Sequence, residues 1–377
     1  MKKSFIFGAA LMCACAFGLQ SCDQVDNPGA PTTDEMTADI QAGTDLSVLV
    51  SKYAVDGVLT LPAEAEVTLS GALEVDEPLT ITSDEKSPAK VTFTGENAGF
   101  VVGNGLTLKN VDFECSASNA AFITLSKNPT IAPITANLWN TDYNLYLLKE
   151  PITVANCTID NLNSFFLTDV KMSNNGAWFL TNVLVDNCLV HLTTQTESTG
   201  NAYFYLNNGG GFAQDLTVKN STFYNTTEFG FRYFVRYGGF SLDNVKDAFG
   251  WEKNTLAYEN STFYNVCQND GQWGNYNGIY RAETSFWVMK NCIFWNCSTS
   301  GSVPRRFLHG KGGRGETAIF LNNTYMTKDG GFQDPQNYDE SGTNIEEDPH
   351  FADPANGDFH ISGSKQAELG TGDPRWL

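Results

Sequence analysis

Short runs of alternating apolar and polar residues recur along the chain, each ending on an asparagine: Asn110, Asn156, Asn187, Asn220, Asn260, Asn291 and Asn323. Two positions before the asparagine stand Leu108, Val154, Val185, Val218, Tyr258, Met289 and Leu321, and four before it stand Leu106, Ile152, Val183, Leu216, Leu256, Trp287 and Ile319. Alternation of period two predicts strands with one buried face. Past the asparagine the parity changes, and buried-type residues fall one and three positions later, as in Ser221 and Phe223, Ser261 and Phe263, Cys157 and Ile159, or Cys292 and Phe294. The chain must bend at each asparagine. This residue tolerates left-handed backbone, and its amide can bond to a copy of itself in the next layer.

Successive spacings of 46, 31, 33, 40, 31 and 32 residues fit a solenoid in which one repeat is one turn and the longer intervals carry insertions. Strand, asparagine bend, strand, repeated in this way, predicts an all-β, single-stranded parallel β-helix with an internal asparagine ladder. The segment at Asn244 matches upstream through Phe240 and Leu242 but fails at Asp247, and is a degenerate repeat. Asn-x-Ser/Thr sequences such as Asn220-Ser221-Thr222 read as ladder positions and not as glycosylation sites. A solenoid must cover its ends. Asp45 to Ala54, with Leu46, Val48, Leu49, Val50 and Tyr53, predicts a short helical plug. The Gly/Pro-punctuated tail from Asp348 predicts an irregular cap lying along the last coil. The expected organisation is a signal peptide at 1–21, a flexible tether at 22–44, N-terminal coils at 45–190, and C-terminal coils with the cap at 191–377.

Lys2 and Lys3 followed by an apolar stretch from Phe5 to Leu19 form an export signal too short for a permanent membrane span. Its end, Leu19-Gln20-Ser21-Cys22, resembles a bacterial lipobox, which implies lipidation at Cys22 and an outer-membrane address. Asp23 and Asp26 resemble the acidic surface-export signal of Bacteroidota lipoproteins. The formal charge is −20, becoming −22 once Lys2 and Lys3 leave with the signal, so the anchor is acyl chain and not a basic patch. That charge also excludes a nucleic-acid partner, which needs a basic footprint. A hydrophobic fraction of 41% against 18% charged residues excludes a disordered chain.

The tail Asp348-Pro349-His350-Phe351-Ala352-Asp353-Pro354, then Gly357-Asp358-Phe359 and Gly372-Asp373-Pro374-Arg375-Trp376, resembles the C-terminal module of Bacteroidota β-helix lipoproteins that carry two tandem domains of unknown function. Residues 45 to 114 are similar to the first coils of the pectate-lyase-like superfamily. Together the resemblance implies a right-handed, pectin-lyase-like coil and handling of polysaccharide at the cell surface beside neighbouring glycan-uptake proteins.

Candidate chemistry concentrates late in the chain. All seven arginines follow residue 231. Arg232 and Arg236 share strand parity, and Arg305, Arg306, His309, Lys311 and Arg314 form a cationic island in a glycine-rich stretch, suited to carboxylate or sulfate recognition. Trp273, Tyr276, Tyr280 and Trp287, with Arg281, read as a sugar-stacking loop, and Tyr224, Tyr264 and Trp295 as an outward aromatic column. The leading expectation is therefore a polysaccharide-binding surface, the polymer anionic or pectin-like, formed by Arg232, Arg236, Trp273, Tyr276, Tyr280, Arg281, Arg305, Arg306, His309 and Lys311. The alternatives are a lyase or glycoside hydrolase on the same face, and a structural or adhesive surface protein. A lyase would bring calcium, with Arg281 or Lys311 as base and Asp270, Glu283 or Glu316 as acid or ligand, but no spacing selects these residues and no catalytic residue is assigned. Of six internal cysteines, at 115, 157, 188, 267, 292 and 297, the three directly after ladder asparagines, Cys157, Cys188 and Cys292, read as small buried filler, in preference to a disulfide between Cys157 and Cys188 on adjacent coils.

Overall fold

The computed structural model describes residues 32–268, 271–276, 285–298, 302–308, 317–335, 337–362 and 364–377, with the backbone alone at 275 and 276. Through the first seven turns the chain lays one strand on each of three long sheets. Sheet I carries the strands before the asparagine, such as Leu106–Lys109, and sheet II those after it, such as Val111–Glu114. Sheet III closes the turn with strands such as Ile123–Leu125. Among the described residues the sheets hold eleven, nine and seven strands, and every strand pairs in parallel with the equivalent strand of the next turn. One exception is an antiparallel hairpin, Ile134–Leu138 with Thr141–Leu148, which fills the 46-residue interval. The class defined by these observations is a parallel β-helix. Its strands run unbroken across position 190, which lies inside Leu189–Leu192.

The interior follows from the period-two pattern. Phe223, Phe263, Phe294 and Tyr325, each three residues past the bend, stack down sheet II with centroids 5.0–6.0 Å apart. Stacked equivalent rings in successive coils remove large apolar areas from water at the repeat distance of the sheet.

The bends are built as the sequence suggests. Asn110, Asn156, Asn187, Asn220, Asn260 and Asn291 all have φ between 46° and 56°. Their amides donate coil to coil: Asn156 to Asn110 at 2.9 Å, Asn187 to Asn156 at 3.0 Å, Asn260 to Asn220 at 3.3 Å and Asn291 to Asn260 at 2.9 Å. The last rung corrects the alignment. Asn322, with φ 50°, donates to Asn291, and Asn323 falls in the next, fully buried slot. The pairing of Lys290 with Leu321 forces this register, and it leaves Ile319 and Leu321 exposed, on the face opposite to the expected one. The period-two pattern is ambiguous by one residue where two asparagines adjoin.

The slot after the ladder has its own logic. Cys157, Cys188, Ser221, Ser261 and Cys292 each turn a thiol or hydroxyl back to the carbonyl two residues earlier, at 2.6–3.3 Å. Asn323 fills the same slot, accepting from the Cys292 N–H at 3.1 Å. All six internal cysteines are free and buried, as filler requires.

Helix α1 (Thr33–Gln41) occupies part of the segment expected to be a tether, because Thr32 and Glu35 form a capping box that satisfies its first amides. Helix α2 (Leu46–Tyr53) is the anticipated plug, burying Leu46, Leu49 and Tyr53, with the Asp45 carboxylate capping it and reaching the Ser70 N–H at 2.7 Å. Helix α3 (Leu242–Phe249), capped by Ser241 and Asn244, accounts for the 40-residue interval, so Asn244 is a helix residue and not a ladder rung. Helix α4 (Val303–Leu308) takes the place of a sheet III strand in the eighth coil, and α5 (Lys365–Leu369) lies in the tail. Among the described residues no helix is long and apolar enough to cross a membrane.

The tail does not stop at the last coil. Gln366 bonds to Thr324, Gly372 N–H to the Asn291 carbonyl, Asp373 N–H to Thr262, Trp376 Nε1 to Thr222, and Arg375 Nη2 to Asn187 at 2.9 Å. It is a lateral strap running back across five coils. Its end fills the one gap in the asparagine ladder, where Asn220 turns to Asp186 and leaves the Asn187 oxygen for the arginine.

Candidate functional site

Arginine reaches the surface on sheet III. The strand Phe231–Tyr237 pairs with Ser198–Leu206 on one side, through a register shift, and with Asn275–Tyr276 on the other; it does not alternate strictly, since Arg232 and Arg236 are half-buried while Phe234, of the same parity, is fully buried in the core. Between them the Tyr233 ring lies 5.5 Å from the Arg232 guanidinium carbon and 5.0 Å from that of Arg236, within cation–π range. Arg236 also lies 5.8 Å from the Tyr205 ring and donates from Nη1 to the Gly200 carbonyl, while its Nε has no hydrogen-bond partner among the described residues.

Backbone bonds tie this strand to the second arginine pair. The Gln272 N–H donates to the Arg232 carbonyl at 2.7 Å, and the Trp273 N–H to the Arg306 carbonyl at 3.1 Å. Arg232, Gln272 and Arg306 therefore stand on three consecutive coils of one side. Arg305 is exposed and Arg306 half-buried on α4. Backbone pairing thus places the strand bearing Arg232 and Arg236 and the helix bearing Arg305 and Arg306 on one side, two coils apart.

Trp273 is a correction. It was expected to stack on sugar but is 0% exposed, packed against Phe234 at 4.9 Å and Phe294 at 4.8 Å, with Nε1 bonded to the Cys297 carbonyl. The ring points inward and fills the core among Phe234, Phe263 and Phe294. Trp287 is likewise buried. Tyr280, Arg281, His309 and Lys311 lie outside the described residues, as do Asp270, Glu283, Arg314, Glu316 and Cys22, and at Tyr276 only the backbone is described.

On sheet II the residues four past each bend share one outward column. Its register runs Glu114, Asp160, His191, Tyr224, Tyr264, Trp295. The three rings form the column expected from sequence, but they are not freely exposed. Phe359 of the tail covers Tyr224 and Tyr264, and Phe351 stands edge-on to Tyr264 and Trp295. Beyond Phe351 a cleft of about 210 Å³ remains, lined by Tyr264, Trp295, Asp348, His350, Phe351 and Pro354.

The polar half of the column was missed. His191 is held at both nitrogens, Nδ1 by Asp160 at 2.5 Å and Nε2 by the Thr226 hydroxyl at 2.8 Å, and lies flat on Tyr224 with centroids 4.5 Å apart. The signal was present, since Glu114, Asp160 and His191 occupy the same fourth position after their asparagines.

A further buried carboxylate, Asp169, is 1% exposed after the sheet III strand Leu167–Thr168. Burial pushes its pKa up to about 6, against the opposing pull of the Gly209 and Asn208 backbone amides, which donate to it at 2.7 and 3.0 Å. It fastens the glycine turn at 209–211, where a side chain on Gly211 would lie 1.7 Å from the Trp178 carbonyl. Its environment makes it a structural clasp.

With a parallel β-helix as the class, the particular families follow. Residues 65–226 match the family model described as Domain of unknown function (DUF4957), and residues 256–376 match that described as Domain of unknown function (DUF5123). The two tandem domains meet across 227–255, the interval containing α3. No curated protein matches the chain.

Proposed function

We propose that this chain is a cell-surface lipoprotein, anchored in the outer membrane through Cys22, whose β-helix binds an anionic, pectin-like polysaccharide along sheet III. The observation that carries the reading is the arginine side. In a chain of net charge −20, the strand bearing Arg232 and Arg236 and the helix bearing Arg305 and Arg306 stand on one side within three coils. Guanidinium groups pair with carboxylate or sulfate through two parallel hydrogen bonds, and a rigid stack of coils offers them at repeat distances suited to a polymer. The lipobox resemblance supports the surface address, and the pectate-lyase-like resemblance supports a right-handed coil and the substrate class. The lyase or hydrolase reading depends on Arg281, His309 and Lys311, outside the described residues.

The test uses the soluble chain beginning at Asp23, run through gels loaded with polygalacturonate or chondroitin sulfate at increasing NaCl, with unsaturated product followed in parallel. Retardation is expected to fade as salt rises and to weaken roughly fivefold or more in Arg232→Gln/Arg236→Gln. Absence of retardation with either polymer, or retardation indifferent to both salt and these substitutions, overturns the proposal. Product formation would convert the binder into an enzyme.

A further inference from the structure

The cleft between sheet II and the strap lies on a different side from the arginines and has a different chemistry. Tyr264 and Trp295 pair in register on adjacent coils, their rings are stacked with centroids 6.3 Å apart and planes 19° from parallel, and both line the cleft. Phe351 stands edge-on to both at 6.1 and 5.9 Å and forms the back wall. The rim is polar. Asp348 accepts from the His350 N–H at 2.7 Å and lies 3.7 Å from its Nδ1, and this pairing holds His350 in left-handed backbone at φ 51° with its side chain 75% exposed. Gly330, at φ 77°, lies along the same rim: a Cβ there would sit 3.6 Å from the Trp295 ring and 3.4 Å from an Asp348 oxygen.

We infer that this cleft is a subsite for a single uncharged pyranose unit of a glycan. An aromatic lining suits the C–H face of a sugar ring, and a carboxylate beside an imidazole suits its hydroxyls. Asp348 disfavours a uronate carboxylate at the same place, because like charges repel at short range in a partly desolvated cleft. At about 210 Å³ the space falls below the roughly 300–1,000 Å³ of drug-sized sites, which limits it to one ring of a chain that continues outside. The inference rests on the reading of the protein as a glycan binder but uses none of its arginines. It adds a salt-insensitive contact to a salt-sensitive one.

The test titrates the soluble chain with neutral hexasaccharides of glucose, galactose and xylose by calorimetry, at low salt and at high salt. One of the three is expected to bind with an affinity that salt leaves unchanged. Trp295→Ala should weaken it at least tenfold, Trp295→Phe by much less, and His350→Ala roughly three- to tenfold, with His350→Gly, which relieves the left-handed backbone, weakening it to the same degree. Arg232→Gln/Arg236→Gln should not alter it. No binding of any neutral hexasaccharide, or binding unaffected by both Trp295→Ala and His350→Ala, overturns the subsite. Loss of binding to polygalacturonate alone would instead count against the arginine side.

Discussion

Asn260 shows what a single ladder position contributes. Its backbone has φ 46°, its amide donates to Asn220, and its oxygen accepts from Asn291. Alanine at this position loses both bonds and adds the cost of left-handed backbone, whereas glycine loses only the bonds. Asn260→Ala is therefore expected to cost about 2–3 kcal/mol and Asn260→Gly about 1 kcal/mol less, measured by urea unfolding. An equal or larger loss for glycine would show that the backbone conformation is not what asparagine supplies. This much was legible in the sequence, because the asparagines stand at a fixed offset from the alternating strands. The rung at 322 was not, since Asn322 and Asn323 are chemically identical and only strand pairing separates them. A second set, Asn265 and Asn296 with φ 55° and 50°, lies five residues past its ladder partners, and Asn296 donates to Asn265 at 2.8 Å.

Among the elements, the strap is the least anticipated. It has no alternation because it does not pair as a strand; single backbone amides and side chains bond to hydroxyls, carbonyls and a side-chain amide of successive coils. Thr222 is the clearest anchor, donating to Asp373 at 2.8 Å and accepting from Trp376 at 2.7 Å. Removing residues 371–377 should lower Tm by about 5 °C or more in calorimetry, from several lost hydrogen bonds and the uncovering of the Phe359 ring, which Trp376 packs against. Arg375→Gln, which loses the hydrogen bond to Asn187, the ion pair with Asp373 and the contact over the Trp376 ring but leaves the strap's backbone bonds in place, should lower it by less, about 1–3 °C. Equal melting of the truncated and full chains would mean that the strap is passive. The hairpin at 134–148 and α3 were visible only as irregular spacings, because insertions break the period without announcing their own form.

For the whole molecule, pH acts through a few buried acids against a large negative charge. Asp169 has its pKa raised to about 6 by burial, and burial also raises that of Asp373 despite its Arg375 partner. A carboxyl with a raised folded-state pKa binds more protons in the folded than in the unfolded chain between the two values, so its contribution is present below about 4 and is lost as pH rises through about 6. Relief of self-repulsion has the same sign. Stability should therefore rise as pH falls from about 7 to 4.5. Asp45 and Asp358, whose values are lowered chiefly by hydrogen bonds, reverse the trend below about 4. Asp169→Asn should flatten the slope between pH 4 and 6 by up to about 3 kcal/mol, followed by thermal unfolding across that range. An unchanged slope would exclude Asp169 as its source.

The sequence by itself determined the repeat, the bends, the helical plug at Leu46–Tyr53 and the inward rings at Phe223, Phe263 and Phe294, since each is fixed by local alternation and by what asparagine permits. Tertiary structure decided what the late aromatics and arginines do. Trp295, at a fixed offset from its asparagine, reads as outward from sequence and lines a cleft, whereas Trp273, in a stretch without the repeat, fills the core, because its direction is set by coil register alone. Arg232 and Arg306 are far apart in sequence and stand two coils apart on one side because parallel pairing stacks distant segments. Whether Tyr224 lies open or covered depended on where the tail ran, and its course is fixed by hydrogen bonds to five separate coils that no periodicity encodes.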